Sequence, residues 1–118
     1  MKVAIAALAF SAMLVGCSSS SMDDQRSAGP YKTLDSSKPV DKVAQCSEST
    51  WQSEVFFGDE AEAWMDTKKD GSFTVYTRSV KYFADVKPGG SGTTVSFYTK
   101  DSGSPMAAKR LAALATCL

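Results

Sequence analysis

The 118-residue chain contains no histidine. That absence removes the commonest general base and the commonest zinc ligand, and with them Ser-His-Asp, Cys-His and histidine-rich metal arrangements. An excess of one charge sign is missing too: 13 basic side chains, scattered along the chain, stand against 13 acidic ones. A nucleic-acid protein needs surplus Lys and Arg to displace counterions from phosphates, so no nucleic-acid partner is expected. No apolar run reaches the roughly 20 residues that a spanning helix requires. Glycine is grouped only at Gly89-Gly90-Ser91-Gly92, between two strand-like stretches. A phosphate-cradling loop should open a helix instead, so these glycines read as a hairpin turn. One small domain remains, without a recognisable catalytic set, cofactor motif or metal site.

What is present begins at the N-terminus. Met1-Lys2 is a short positive start, and Val3 to Val15 is an apolar run interrupted only by Ser11. Its length and flanks fit the h-region of a signal peptide over residues 1–16. The run ends in Leu14-Val15-Gly16-Cys17. This segment resembles the lipobox of bacterial lipoproteins: an apolar residue, a small or apolar one, a small one, then Cys. The resemblance implies a diacylglyceryl thioether on Cys17, cleavage between Gly16 and Cys17, and acylation, typically with palmitate, of the new amino group. Ser18 stands where Asp would favour retention at the inner membrane, so the resemblance implies an outer-membrane anchor with the domain facing the periplasm. It covers the first 17 or 18 residues and implies nothing about the fold that follows. The mature part looks like one of many small proteobacterial lipoproteins of unknown function.

Residues 17–35 follow as the lipidated Cys and a tether rich in Ser, Asp, Gly and Pro, with no run able to bury a face. As a flexible coil the tether has a reach of about 20–25 Å. Tyr31 and Leu34 are the two side chains in or near it able to dock on the domain instead.

Residues 36–118 read as the globular part. Ser36-Ser37-Lys38-Pro39 is a helix-start signature. Val40, Val43, Ala44, Ser47 and Trp51 then form one stripe of a helix expected over about 38–54, with Gly58 as a stop. From residue 60 the period changes to two. Ala61, Ala63 and Met65 alternate with Glu62, Trp64 and Asp66, and Lys68-Lys69-Asp70-Gly71 supplies a turn. Phe73 and Val75, then Tyr82, Ala84 and Val86, then Val95 and Phe97 continue the alternation. The joint at Arg78-Ser79 carries neither Gly nor Pro, which leaves open one long bent strand. Ser104 and Pro105 start a last helix with Ala107, Leu111, Leu114 and Leu118 on one side and Lys109 and Arg110 on its polar side. The expected fold is α+β, a two-layer sandwich: a helix, a three- or four-stranded antiparallel meander, then a helix, both helices on one face.

With Cys17 taken by lipid, Cys46 and Cys117 remain, an even number in an oxidising compartment. Each lies three residues after an apolar stripe position of its helix, which predicts a disulfide between the two helices. Closing so long a loop removes about 4 kcal/mol of unfolded-state entropy.

Two patches remain for function. Asp59-Glu60-Ala61-Glu62 is a concentrated acidic stretch that lacks calcium-loop spacing and reads as a solvated loop. If Met65, Phe73, Val75, Tyr82, Val86, Val95 and Phe97 face the helices, Trp64, Tyr76, Phe83 and Tyr98 share the opposite sheet face. Four aromatics there mark a partner-binding surface. The expected function is that of a non-catalytic, lipid-anchored envelope module binding an unidentified periplasmic or envelope protein. The alternative is an inhibitor or immunity protein against a cell-wall hydrolase or a toxin.

Overall fold

The computed structural model describes residues 17–53 and 62–118. Residues 1–16, read from sequence as a signal segment, Gly58, expected as a helix stop, and most of the acidic stretch lie outside the described residues. In chain order the elements are α1 (Cys17–Ala28), β1 (Lys32–Ser36), α2 (Val40–Ser53), β2 (Ala63–Thr67), β3 (Phe73–Thr77), a single 3₁₀ turn (Arg78–Val80), β4 (Tyr82–Gly89), β5 (Gly92–Thr99) and α3 (Pro105–Ala115).

Alternation dictates the sheet. β2 to β5 form an antiparallel meander, and β1 pairs antiparallel with β5, giving the order β1-β5-β4-β3-β2. The sheet therefore has five strands, one more than the upper expectation. The extra strand escaped periodicity because only Leu34 of β1 packs against the core. The strand is otherwise held by backbone pairing from Lys32 opposite Phe97 to Ser36 opposite Thr93, extended by the Tyr31 amide donating to the Phe97 carbonyl at 2.8 Å. An edge strand can be this polar because the ladder needs no side chains.

α2 carries the chain across one sheet face from the β1 edge to the β2 edge, and α3 packs beside it. Their buried positions Val43, Ala44, Trp51, Ala107, Ala113 and Leu114 meet the inward residues Val75, Ala84, Val86, Val95 and Phe97. This is the expected α+β sandwich with both helices on one face. The Ser104 hydroxyl caps α3 by accepting from the Ala107 amide at 3.1 Å, with Pro105 in the first turn. Cys46 of α2 and Cys117 just beyond α3 are joined by a disulfide with Cα atoms 5.7 Å apart.

Arg110 departs from the sequence reading. It is only 5% exposed rather than on the polar side of α3. Its guanidinium lies 5.3 Å from the Trp51 ring centroid and donates to the Trp51 carbonyl at 3.1 Å, while the Trp51 indole N–H donates back to the Arg110 carbonyl at 3.1 Å. These reciprocal bonds satisfy polar groups that burial would otherwise penalise.

The Arg78-Ser79 joint is a turn, so β3 and β4 are separate strands. Ser79 and Val80 adopt φ values of 62° and 55°, a region that side-chain-bearing residues, β-branched ones above all, rarely visit. The Thr77 hydroxyl closes the turn by accepting from the Tyr82 amide and donating to the Tyr82 carbonyl, both at 3.2 Å.

Residues 18–35, which composition reads as a disordered tether, carry α1 and β1. α1 lies on the sheet face opposite α2 and α3, where the candidate site is found.

Candidate binding face

Strand registers assemble the outer face. Trp64 stands opposite Tyr76, Tyr76 opposite Phe83, and Phe83 opposite Tyr98, so the four aromatics form one row across four strands. Trp64 and Tyr76 stack at 5.9 Å between centroids, and Phe83 and Tyr98 stack almost parallel at 4.6 Å. The next outward row is polar: Asp66 opposite Thr74, Thr74 opposite Asp85, Asp85 opposite Ser96, and Ser96 opposite Thr33. An aromatic row beside a carboxylate-bearing row offers a planar cation both a π face and an anion.

α1 divides this face. Phe83 and Tyr98 are buried, whereas Trp64 is 43% exposed and Tyr76 half-buried. The patch open to a partner is thus narrower than four aromatics and centres on Trp64 and Tyr76 at the β2 edge. Burial pushes the Tyr76 hydroxyl pKa up, and the neighbouring Asp66 carboxylate adds to the effect.

Beneath α1 the central group is Asp85, 3% exposed. Arg26 grips it side-on: Nε donates to Oδ2 at 2.8 Å and Nη2 to Oδ1 at 2.8 Å. The Thr74 hydroxyl donates to Oδ1 at 2.8 Å and accepts from Arg26 Nη2 at 3.3 Å. The same guanidinium lies 5.2 Å from the Phe83 ring centroid. Burial alone would raise the Asp85 pKa, but the Arg26 and Thr74 hydrogen bonds and the Arg26 charge outweigh it and hold the carboxyl below its ordinary range. In return, the hydrogen bond to Asp85 raises the Arg26 pKa against the opposing effect of its own partial burial.

The sequence reading missed Arg26, Thr74 and Asp85. A usable signal existed for one of them. Asp85 alternates onto the aromatic face of β4, between Phe83 and Lys87, and a carboxylate buried there needs a cation or donors. Nothing in the spacing identifies Arg26, 59 residues away, as that cation.

The remaining candidates have structural roles or lie apart. Glu62, the described end of the acidic stretch, pairs with Arg78 across the β2–β3 edge. Asp70 accepts from the Ser72 amide at 3.0 Å and the Ser72 hydroxyl at 2.6 Å, which fixes the β2–β3 turn. Gly90, with φ of 45°, forms the β4–β5 turn. Cys17 is the first residue of α1, remote in sequence from the aromatic row. Among the described residues no helix is long and apolar enough to cross a membrane, and no group of three or more His, Cys, Asp or Glu side chains is placed to hold a metal ion. Comparison of the chain with protein-family models, curated proteins and solved structures returns no match.

Proposed function

We propose that this chain is a lipid-anchored lipoprotein of the cell envelope, fixed through Cys17 to the outer membrane on its periplasmic side, and that its α+β domain is a non-catalytic binding module. The observation that carries the proposal is Leu14-Val15-Gly16-Cys17 after a positive start and an apolar, signal-like run broken only by Ser11. The Cys46–Cys117 bond supports the same compartment, because disulfides persist in the periplasm and are rare in the cytosol. The exposed Trp64, stacked on the half-buried Tyr76, supports a binding role: a large, rigid aromatic pair reaching the surface is typical of interface anchors.

Two measurements test the proposal. Labelling cells with a palmitate analogue should mark the wild-type chain and leave Cys17→Ser unmarked; an unacylated mature protein that retains residues before Cys17 refutes the anchor. Crosslinked envelope capture should then recover a partner with the wild-type chain and lose it with Trp64→Ser, at unchanged fold. Unchanged capture refutes the binding face. Recovery of a cell-wall hydrolase whose activity falls on binding would assign the module as an inhibitor.

A further inference from the structure

We infer that the outer face holds a site for an arginine side chain of a partner polypeptide, and that α1 is a displaceable strap that fills this site in cis with Arg26. The inference rests on the proposed role of the outer face as a binding surface and adds the chemistry of what it binds. It does not depend on the lipid anchor.

The receptor half belongs to the sheet. Asp85, Thr74 and Phe83 lie on paired strands β3 and β4, all buried, with positions set by registers that do not involve α1. Together they present a carboxylate, a hydroxyl and a ring to one planar group. Both Asp85 oxygens are engaged at 2.8 Å by adjacent nitrogens of one fork while the fork covers Phe83. A lysine ammonium is a point charge that cannot make the paired contact and the stacking together, so the geometry selects guanidinium.

The occupant fits well only at that guanidinium. α1 reads Cys-Ser-Ser-Ser-Ser-Met-Asp-Asp-Gln-Arg-Ser-Ala and has no apolar stripe with which to grip a sheet. Gln25 is 7% exposed, yet its Oε1 has no hydrogen-bond partner and its Nε2 reaches the Val80 carbonyl only at 3.4 Å. A cleft of about 280 Å³ separates Gln25, Ala28 and Gly29 from Tyr98 and Thr99. Gly29, at φ of 96°, ends the helix just before Pro30 and β1, so α1 can swing without disturbing the sheet.

The face is also longer than its cover. Trp64, Tyr76 and Asp66 continue both rows into the open. Asp35, Asp66 and Asp85 outnumber Lys87, the one basic residue of the sheet strands on this face. A basic polypeptide that places one arginine on Asp85 would displace Arg26 and lay its neighbouring residues along Trp64 and Tyr76, gaining contacts that α1 does not make.

The test is an NMR titration of the full chain, wild type and Arg26→Ala, with acetyl-Gly-Arg-Gly-amide and its lysine and citrulline counterparts. Arg26→Ala should bind the arginine peptide at least about tenfold more tightly than wild type, because the site no longer has to be vacated. The shifts should centre on Thr74, Phe83 and Asp85 and vanish in Arg26→Ala/Asp85→Asn. The lysine and citrulline peptides should bind at least about tenfold more weakly. In wild type, the arginine peptide should speed hydrogen exchange of the amides at 22–28. Equal binding of arginine and lysine, or no shift at those three residues in a folded Arg26→Ala chain, overturns the inference. Should Arg26→Ala not fold, wild type decides: exchange at 22–28 that no amount of arginine peptide accelerates overturns it as well. Loss of partner capture by Trp64→Ser combined with no arginine binding sinks this inference and leaves the binding-face proposal standing.

Discussion

Removing the Cys46–Cys117 bond should be the most damaging change that leaves the core side chains in place. The two cysteines are 71 residues apart, and the loop they close holds everything from β2 to α3, including four of the five strands. In the chain-entropy account, a loop of this length removes about 15 cal/mol/K from the unfolded ensemble, about 4 kcal/mol at 25 °C. A domain of this size has roughly 5–15 kcal/mol of total stability, so the bond supplies a large fraction of it. The variant Cys46→Ala/Cys117→Ala removes the bond with little else, since alanine suits the helical position 46 and only one buried sulfur, that of Cys117 beyond α3, is lost with it. At a urea slope of about 1–2 kcal/mol/M the unfolding midpoint should fall by about 2–4 M with the slope nearly unchanged. The thermal midpoint should fall by about 15–30 °C. Equilibrium unfolding followed by Trp51 fluorescence checks both, because Trp51 is fully buried between α3 and the sheet. A loss below about 1 kcal/mol would refute the reasoning, showing that the unfolded chain is already as restricted without the bond as with it.

Acidification should release α1 before the domain unfolds. Asp85 is held below its ordinary carboxylate range by Arg26 from α1 and Thr74 from β3, with Lys87 on its own strand adding positive charge. The stabilisation is therefore complete above about pH 4 and is lost as pH falls through the depressed value; exchange of the 22–28 amides should accelerate there while amides of β4 and β5 stay protected. Ser79→Gly should stabilise the domain by up to about 1 kcal/mol, read as a raised urea midpoint, because glycine adopts the φ of 62° at Ser79 without strain. Gly92→Ala should destabilise it by about 1–3 kcal/mol and expose the β1 amides to exchange, since a Cβ there collides with the Ser36 carbonyl oxygen and the Ser37 Cα.

How legible each part was follows from which physics holds it. Period-two alternation places Met65, Val75, Val86 and Phe97 inward and Trp64, Tyr76, Phe83 and Tyr98 outward, because one buried face fixes side-chain direction along every strand. The disulfide was legible from even cysteine count and stripe position. β1 was hidden because its share of the sheet is backbone pairing plus Leu34. Arg110 was misassigned because adjacent Lys109 and Arg110 read as a solvated face. Yet Ala107, Arg110 and Leu114 keep helical spacing, and a guanidinium can be buried where a ring and a carbonyl receive it. α1 was hidden for the strongest reason: an ion pair 59 residues apart in sequence leaves no periodic trace, and a polar helix anchored at one residue has the composition of a linker.

That anchoring changes what the N-terminal segment does in the proposed lipoprotein. A free coil from Cys17 onward would let the domain wander about 20–25 Å from its anchor. Instead Cys17 and Arg26 lie on one helix, roughly 14 Å apart along its axis. On the proposed lipidation, the contact that covers Phe83 and Tyr98 is then also the contact that holds the domain close to the lipid. Releasing Arg26 uncovers the aromatic row and lengthens the tether in one step. Linkage makes the relation reciprocal: a partner arginine that takes Asp85 favours the extended tether, and any interaction that keeps α1 on the membrane favours an open site by the same factor. On the proposed anchor and the proposed arginine site, a single ion pair on the outer face would therefore set both the distance of the module from the membrane and its readiness to bind.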